Sequence, residues 1–264
     1  MATLTDVINQ ALDELGVGII TTLGTDGTPQ DGFMNRNHLR LIKDVMMDLD
    51  WPSLRVRKVL DYVPGTLTLS STAVAAGITA TAGSSFFNER DVGAFLYEKG
   101  TGATGVSEIT GYTSATVVTV KTTTAWADAD GVLAQNKWYL QSVGVESELG
   151  YTYVQPSDLL VLRALDDPTA RWSVEFNRIL TGYDEAAAIY TRYDAAPDNW
   201  GQELLDVIVA QLAARAAWRL TKNAKLQTDM WTLYEQRMAA AEGIATKHQK
   251  RYDSYKLTTL KDVR

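Results

Sequence analysis

The stretch PDNWGQELLDVIVAQLAARAAWRLTKNAKLQTDMWTLYEQRMAAAEGIATKHQK, Pro197 to Lys250, organises the reading of the chain. Leu204, Ile208, Leu212, Ala216 and Leu220 recur at every fourth residue, with Leu205 and Val209 beside them. That is one apolar stripe on a helix. Asp198 or Asn199 is placed to cap its start, because either side chain accepts from the first free backbone N–H groups. The pattern loosens at Thr221-Lys222-Asn223. It resumes with Leu226, Met230, Leu233, Tyr234, Arg237, Ala241 and Ile244, so a second long helix is expected after a kink or short turn. Ala213, Ala214, Ala216 and Ala217 are small enough to let another helix approach closely. Neither helix can bury its stripe alone, so the rest of the chain must supply partners.

Working outward, Thr3 and Thr5 precede Val7, Ile8, Ala11, Leu12 and Leu15, a short amphipathic helix ended by Gly16 and Gly18. The segment Leu23 to Gly32 is rich in turn residues. Phe33, Leu41, Ile42, Val45, Met46 and Leu49 mark a second helix that carries His38, read as a structural histidine, and Pro52 stops it. Leu54 to Tyr62 alternates as a strand or extended connector.

From Pro64 to Ala127 the composition changes: 7 charged residues in 64, against 50 in the remaining 200. Short β-type runs appear at Thr66 to Ser70, Ile78 to Ala82, Val92 to Glu98, Val106 to Tyr112 and Ala115 to Val120. They predict a small antiparallel sandwich or barrel. Beyond it, Leu159 to Leu165 reads as a buried strand and Trp172 to Leu180 as another. The expected fold is therefore α+β. A helical-bundle core from residues 1–63 and 128–250 is interrupted by an inserted β module at 64–127 and followed by an extended tail at 251–264.

Composition narrows the chemistry. Without cysteine there is no disulfide, thiolate metal site or cysteine nucleophile, and two histidines (His38 and His248) do not make a metal cluster. No signal peptide or membrane span is expected, so cytosolic synthesis is the default. A net charge of −7 argues against gripping nucleic acid with the whole surface, and does not exclude a protein that surrounds DNA and must let it slide. No Walker loop, dinucleotide fingerprint, zinc helix or nucleophile elbow is present. The glycines of Gly100 to Gly105 read as a hairpin turn, because the Lys-Ser/Thr ending of a phosphate loop is missing. Asp128/Asp130 and Asp166/Asp167 read as turn residues. The calcium-like opening Asp128 to Gly131 meets Tyr139 where a closing Glu belongs. No enzyme activity and no cofactor are expected.

Three segments carry a resemblance. VINQALDELGVGIITTL with a following helix ending LDWPS, YVQPSDLLVLRAL with WSVEFNRIL, and AIYTRYDAAPDNWGQELLDVIVAQLAARAAWRLTKN together resemble the head-to-tail adaptors of short-tailed bacteriophages, the tail tubular protein A family. Phe176-Asn177 departs from the family's pattern, where a Gly often follows the acidic residue. The insert, FNERDVGAFLYEKGTG with EITGYTSATVVTV, is similar to β modules of other phage structural proteins. The resemblance implies a structural virion protein: a ring, usually of twelve copies, between portal and tail nozzle at the head–tail junction. Tail fibres are further candidate neighbours, DNA passes without specific binding, and no membrane is involved. The portal-binding element is expected in the tail, with Arg251, Tyr252, Tyr255, Leu257 and Leu260 as anchors. Two alternatives stand behind it: a tail protein that binds host surface or glycan through the β module, and a cell-wall hydrolase.

Overall fold

The computed structural model describes the backbone of residues 3–99, 105–127, 130–141 and 149–261, with side chains as far as Lys247. The chain divides into two compact units. One comprises Met1–Val56, Asp158–Arg163 and Tyr190–Arg264; the other comprises Arg57–Ser157 and Ala164–Ile189.

Among the described residues, the first unit holds four helices: α1 (Leu4–Glu14), α2 (Pro29–Asp48), α3 (Gln202–Thr221) and α4 (Ala224–Lys261). Thr3 and Asp6 form a capping box on α1, satisfying two donors that the first turn leaves free. Helix α2 starts at Pro29, earlier than the turn-rich sequence suggests. Thr28 caps it and proline takes the first turn, where its missing N–H costs nothing. The expected caps of α3 are not used: Pro197–Asn199 forms a 3-10 turn, and Gly201 precedes the helix without a side-chain cap. The break at Thr221-Lys222-Asn223 is real, with Lys222 left-handed at φ 55° and Asn223 Oδ1 accepting from the N–H groups of Lys225 and Leu226.

The core of this unit is Val7, Ile8, Leu12, Leu41, Val45, Leu204, Ile208, Leu212, Ala213 and Ala216, sealed by Trp51. Trp51 donates from Nε1 to the carbonyl of Val45 at 2.8 Å, so the LDWPS turn is fixed under α2. Arg163 reaches two late carbonyls of α2, Met47 O at 2.8 Å and Leu49 O at 2.7 Å. A cation there suits the negative end of the helix dipole. His38 is buried, with Nδ1 2.9 Å from Met34 O.

Thirteen strands are described: β1 (Arg55–Val59), β2 (Leu67–Leu69), β3 (Ile78–Ala82), β4 (Phe95–Glu98), β5 (Val106–Ser114), β6 (Val117–Thr124), β7 (Val132–Leu133), β8 (Trp138–Gln141), β9 (Tyr151–Val154), β10 (Leu159–Leu165), β11 (Trp172–Glu175), β12 (Arg178–Thr181) and β13 (Ala187–Arg192). They make a seven-stranded sheet of order β7-β2-β3-β6-β5-β4-β8 and three-stranded sheets of order β11-β12-β9 and β1-β13-β10. In the large sheet, Ile78, Ala80 and Ala82 are buried while Thr79 and Thr81 are exposed, the alternation of a sheet with one face on a core. Three register shifts between β5 and β6 mark bulges, which increase local twist.

The expectation of a helical-bundle core with a small inserted β module is overturned. The thirteen strands in three sheets outnumber the four helices, and the large sheet runs past Ala127 to Gln141. Part of the reason is β13, in which Ala187, Ala188, Tyr190 and Thr191 are buried and the burial does not alternate. Such a strand has no alternation to reveal it. The single strand expected from Trp172 to Leu180 is a hairpin, turning at Phe176 (φ 47°) and Asn177 (φ 61°). The extended tail is corrected too: the backbone of residues 251–261 continues α4, and residues 262–264 lie outside those described.

Candidate functional site

Arg251, Tyr252, Tyr255, Leu257 and Leu260, the expected portal anchors, fall on the last turns of α4. Their side chains lie outside the described residues. The structure thus places all five on one helical element without showing what they touch. Asp128 of the calcium-like loop also lies outside the described residues, and Tyr139 is in β8. Of the Gly100 to Gly105 run expected to form a hairpin turn, residues 100–104 lie outside the described residues; β4 before it and β5 after it pair antiparallel. Asp167 Oδ1 accepts from the N–H and hydroxyl of Thr169 at 2.7 and 2.6 Å, which is turn chemistry.

Two polar clusters in the β-rich unit have no signature in the sequence. In the first, the Tyr62 hydroxyl donates to Asp184 and accepts from Lys99 Nζ at 2.6 Å and from the Glu185 N–H at 2.9 Å. Lys99 also donates to Asp184 at 3.1 Å and Glu185 at 3.3 Å, and its ammonium lies 4.3 Å from the Tyr62 ring centroid. Around it Tyr62 stacks on Tyr153 at 4.7 Å and Tyr97 on Tyr139 at 5.1 Å. Burial pushes the phenols of Tyr62 and Tyr153 well up, and that of Tyr139 to about 12. Burial alone would also raise Asp184, but its hydrogen bonds from Tyr62 and Lys99, with the lysine charge, outweigh that and lower it. The Tyr62 oxygen has filled its one donor and two acceptor positions. A phenol so held is a clamp between the end of β1, the end of β4 and the Asp184–Glu185 loop, and a poor general base.

The second cluster is an ion pair. Arg178 donates to both carboxylate oxygens of Asp91, at 2.7 and 2.8 Å, and to the carbonyl of Phe86, whose ring centroid lies 4.4 Å from the guanidinium. Arg178 and Asp91 are 6% and 4% exposed. The pair borders a cleft of about 290 Å³ whose lining includes Pro64, Phe86, Asn88, Gln155, Phe176 and Arg178. Its guanidinium is already engaged, so the cleft offers three side-chain amides (Asn88, Gln155 and Asn177) and aromatic faces to a ligand, with no acid–base pair. Among the described residues, no group of His, Asp or Glu side chains could hold a metal ion. No helix among them is long and apolar enough to cross a membrane.

Sequence reasoning also misses the edge of β11. Trp172 and Val174 of β11 and Phe176 in the turn after it are all exposed, and among the described residues β11 pairs only with β12. The alternation of WSVEF does mark a strand, but its apolar side faces outward where a buried side is expected. No protein-family model and no curated protein sequence matches this chain.

Proposed function

We propose that this chain is a structural virion protein, a head-to-tail adaptor whose copies form a ring between portal and tail nozzle and line the DNA channel. One observation carries the proposal beyond the resemblance. Helix α4 has 38 residues and α3 has 20. At 1.5 Å per residue they are about 57 Å and about 30 Å long, so α3 can flank only the first half of α4. Ala241 is the last described buried residue on α4, and Glu242 to Lys247 are exposed or half-buried. A helix that outruns its own packing partner is marginal in water and gains stability by docking on another molecule. Arg251, Tyr252, Tyr255, Leu257 and Leu260 lie on this overhang, and Tyr and Arg are common interface anchors.

The test is truncation. A chain ending at Lys250 keeps the described core residues and is expected to fold, while losing co-sedimentation with a portal protein from the same phage. Normal docking by that truncation would remove the tail's role.

A further inference from the structure

Helix α3 has a pocket at its start and an exposed indole near its end. The pocket is open and measures about 150 Å³. Its lining includes the buried Trp51, Leu204 and Ala241, with Ile244, Ala245 and Glu203 beside them. An apolar cavity of about that volume takes a benzene-sized ring. Ala241 is also where the described burial of α4 stops, so the pocket lies at the root of the overhang.

At the other end of α3, Trp218 is 45% exposed. Lys222 lies over its ring, with Nζ 6.0 Å from the centroid. Residues 215–225 hold four cations and no carboxylate, whereas residues 197–206 hold three carboxylates and no cation. That polarity suits the dipole of α3 within one copy. An indole left in water among the cations does nothing for the dipole, and Trp is among the side chains that most often anchor an interface. Trp218 cannot fill the pocket of its own copy, because Leu204 lies about 21 Å back along the same helix at 1.5 Å per residue.

We infer that Trp218 of one copy seats in the pocket lined by Trp51, Leu204 and Ala241 of the next, bringing Lys222 to Glu203. The ammonium lies over the indole and travels with it. Glu203 is exposed and lines the pocket, so opposite charges meet as the ring enters. Different patches meet in this contact, so it is heterologous and closes into a ring when the rotation allows. The inference deepens the ring reading and rests on it.

The full chain is tested alone and mixed with a portal protein from the same phage. Trp218→p-benzoylphenylalanine keeps an aromatic knob. On irradiation it should cross-link to residues 51–53 or 244–245 of another copy, read by mass spectrometry of mixed isotope-labelled chains. Trp218→Ala removes the knob and Ala245→Leu narrows the pocket; each should weaken self-association in sedimentation about tenfold or more. Lys222→Glu chains and Glu203→Lys chains should each associate weakly, and an equimolar mixture should recover, because opposite charges then meet at every contact of an alternating ring. A role confined to the helix dipole gives no recovery on mixing. Circular dichroism checks that each variant is folded. Cross-links to the portal protein alone, no cross-link to another copy, or folded variants that associate as the parent does overturn the contact. Rings whose cross-links lie elsewhere would sink this contact and leave the adaptor reading standing. The expected cross-link in closed pairs, or in a protein located away from the head–tail junction, would do the reverse.

Discussion

Breaking the Arg178–Asp91 pair should cost far more on one side than on both. Both side chains are buried, and the guanidinium makes three hydrogen bonds, two of them to Asp91. Asp91→Leu leaves a buried cation with the Phe86 carbonyl and ring, and removing one partner of such a pair costs about 3–5 kcal/mol. Arg178→Met strands the carboxylate, which keeps the Asn88 N–H at 2.9 Å, so its cost should lie near the lower end, about 3 kcal/mol. In Arg178→Met/Asp91→Leu no charge is stranded, and the loss should fall to about 1–3 kcal/mol through lost packing and the lost cap. The cycle therefore predicts a coupling of at least about 3 kcal/mol. The chain has two units, so one global transition is a poor measure. Urea-dependent amide exchange at Leu96 and Leu140, paired across β4 and β8, reads the relevant unit. Additivity within about 0.5 kcal/mol would show that the two groups act independently and refute the argument.

Three further outcomes are expected. Ala213→Leu or Ala216→Leu overpacks a fully buried face of α3 and should destabilise the helical unit by about 1–3 kcal/mol in denaturant, whereas Arg219→Leu nearby should cost little. The phenols of Tyr139 and Tyr190, both raised by burial to about 12, and Tyr62 and Tyr153, raised further, hold their protons more tightly in the folded chain than at the ordinary value of 10.0. Their contribution to stability is thus whole below pH 10 and is lost as pH rises through the folded values; tyrosinate absorbance should show at least these four tyrosines silent near pH 10 until unfolding. Replacing Phe176-Asn177 with Asn-Gly should raise the stability of the isolated chain by roughly 1 kcal/mol in thermal melts; a loss would mean that the Arg90 contact, 4.1 Å from the Phe176 ring centroid, outweighs the backbone strain.

The helices are legible because an apolar stripe at every fourth residue lies on one side of a helix and would scatter over both faces of a strand. Leu204, Ile208, Leu212 and Ala216 are all buried on α3. Ile78–Ala82 and Leu159–Leu165 also appear as strands at the residues expected. The hairpin at Phe176 is hidden because its turn chemistry is atypical: a bulky residue at positive φ gives no Gly or Pro signal. The two polar clusters are hidden for a different reason. Tyr62 and Asp184 are 122 positions apart, and Asp91 and Arg178 are 87 apart, so only the fold brings them together. The overhang of α4 is half legible. Its aromatic, basic and aliphatic residues are plain in the sequence, but their weak period suggests an extended tail where the backbone is helical.

The most direct test is electron microscopy of the full chain mixed with its portal protein. The account predicts a closed ring of copies on the tail-facing end of the portal, coaxial with the DNA channel. A protein that stays unbound, or that docks elsewhere on the particle, would contradict it.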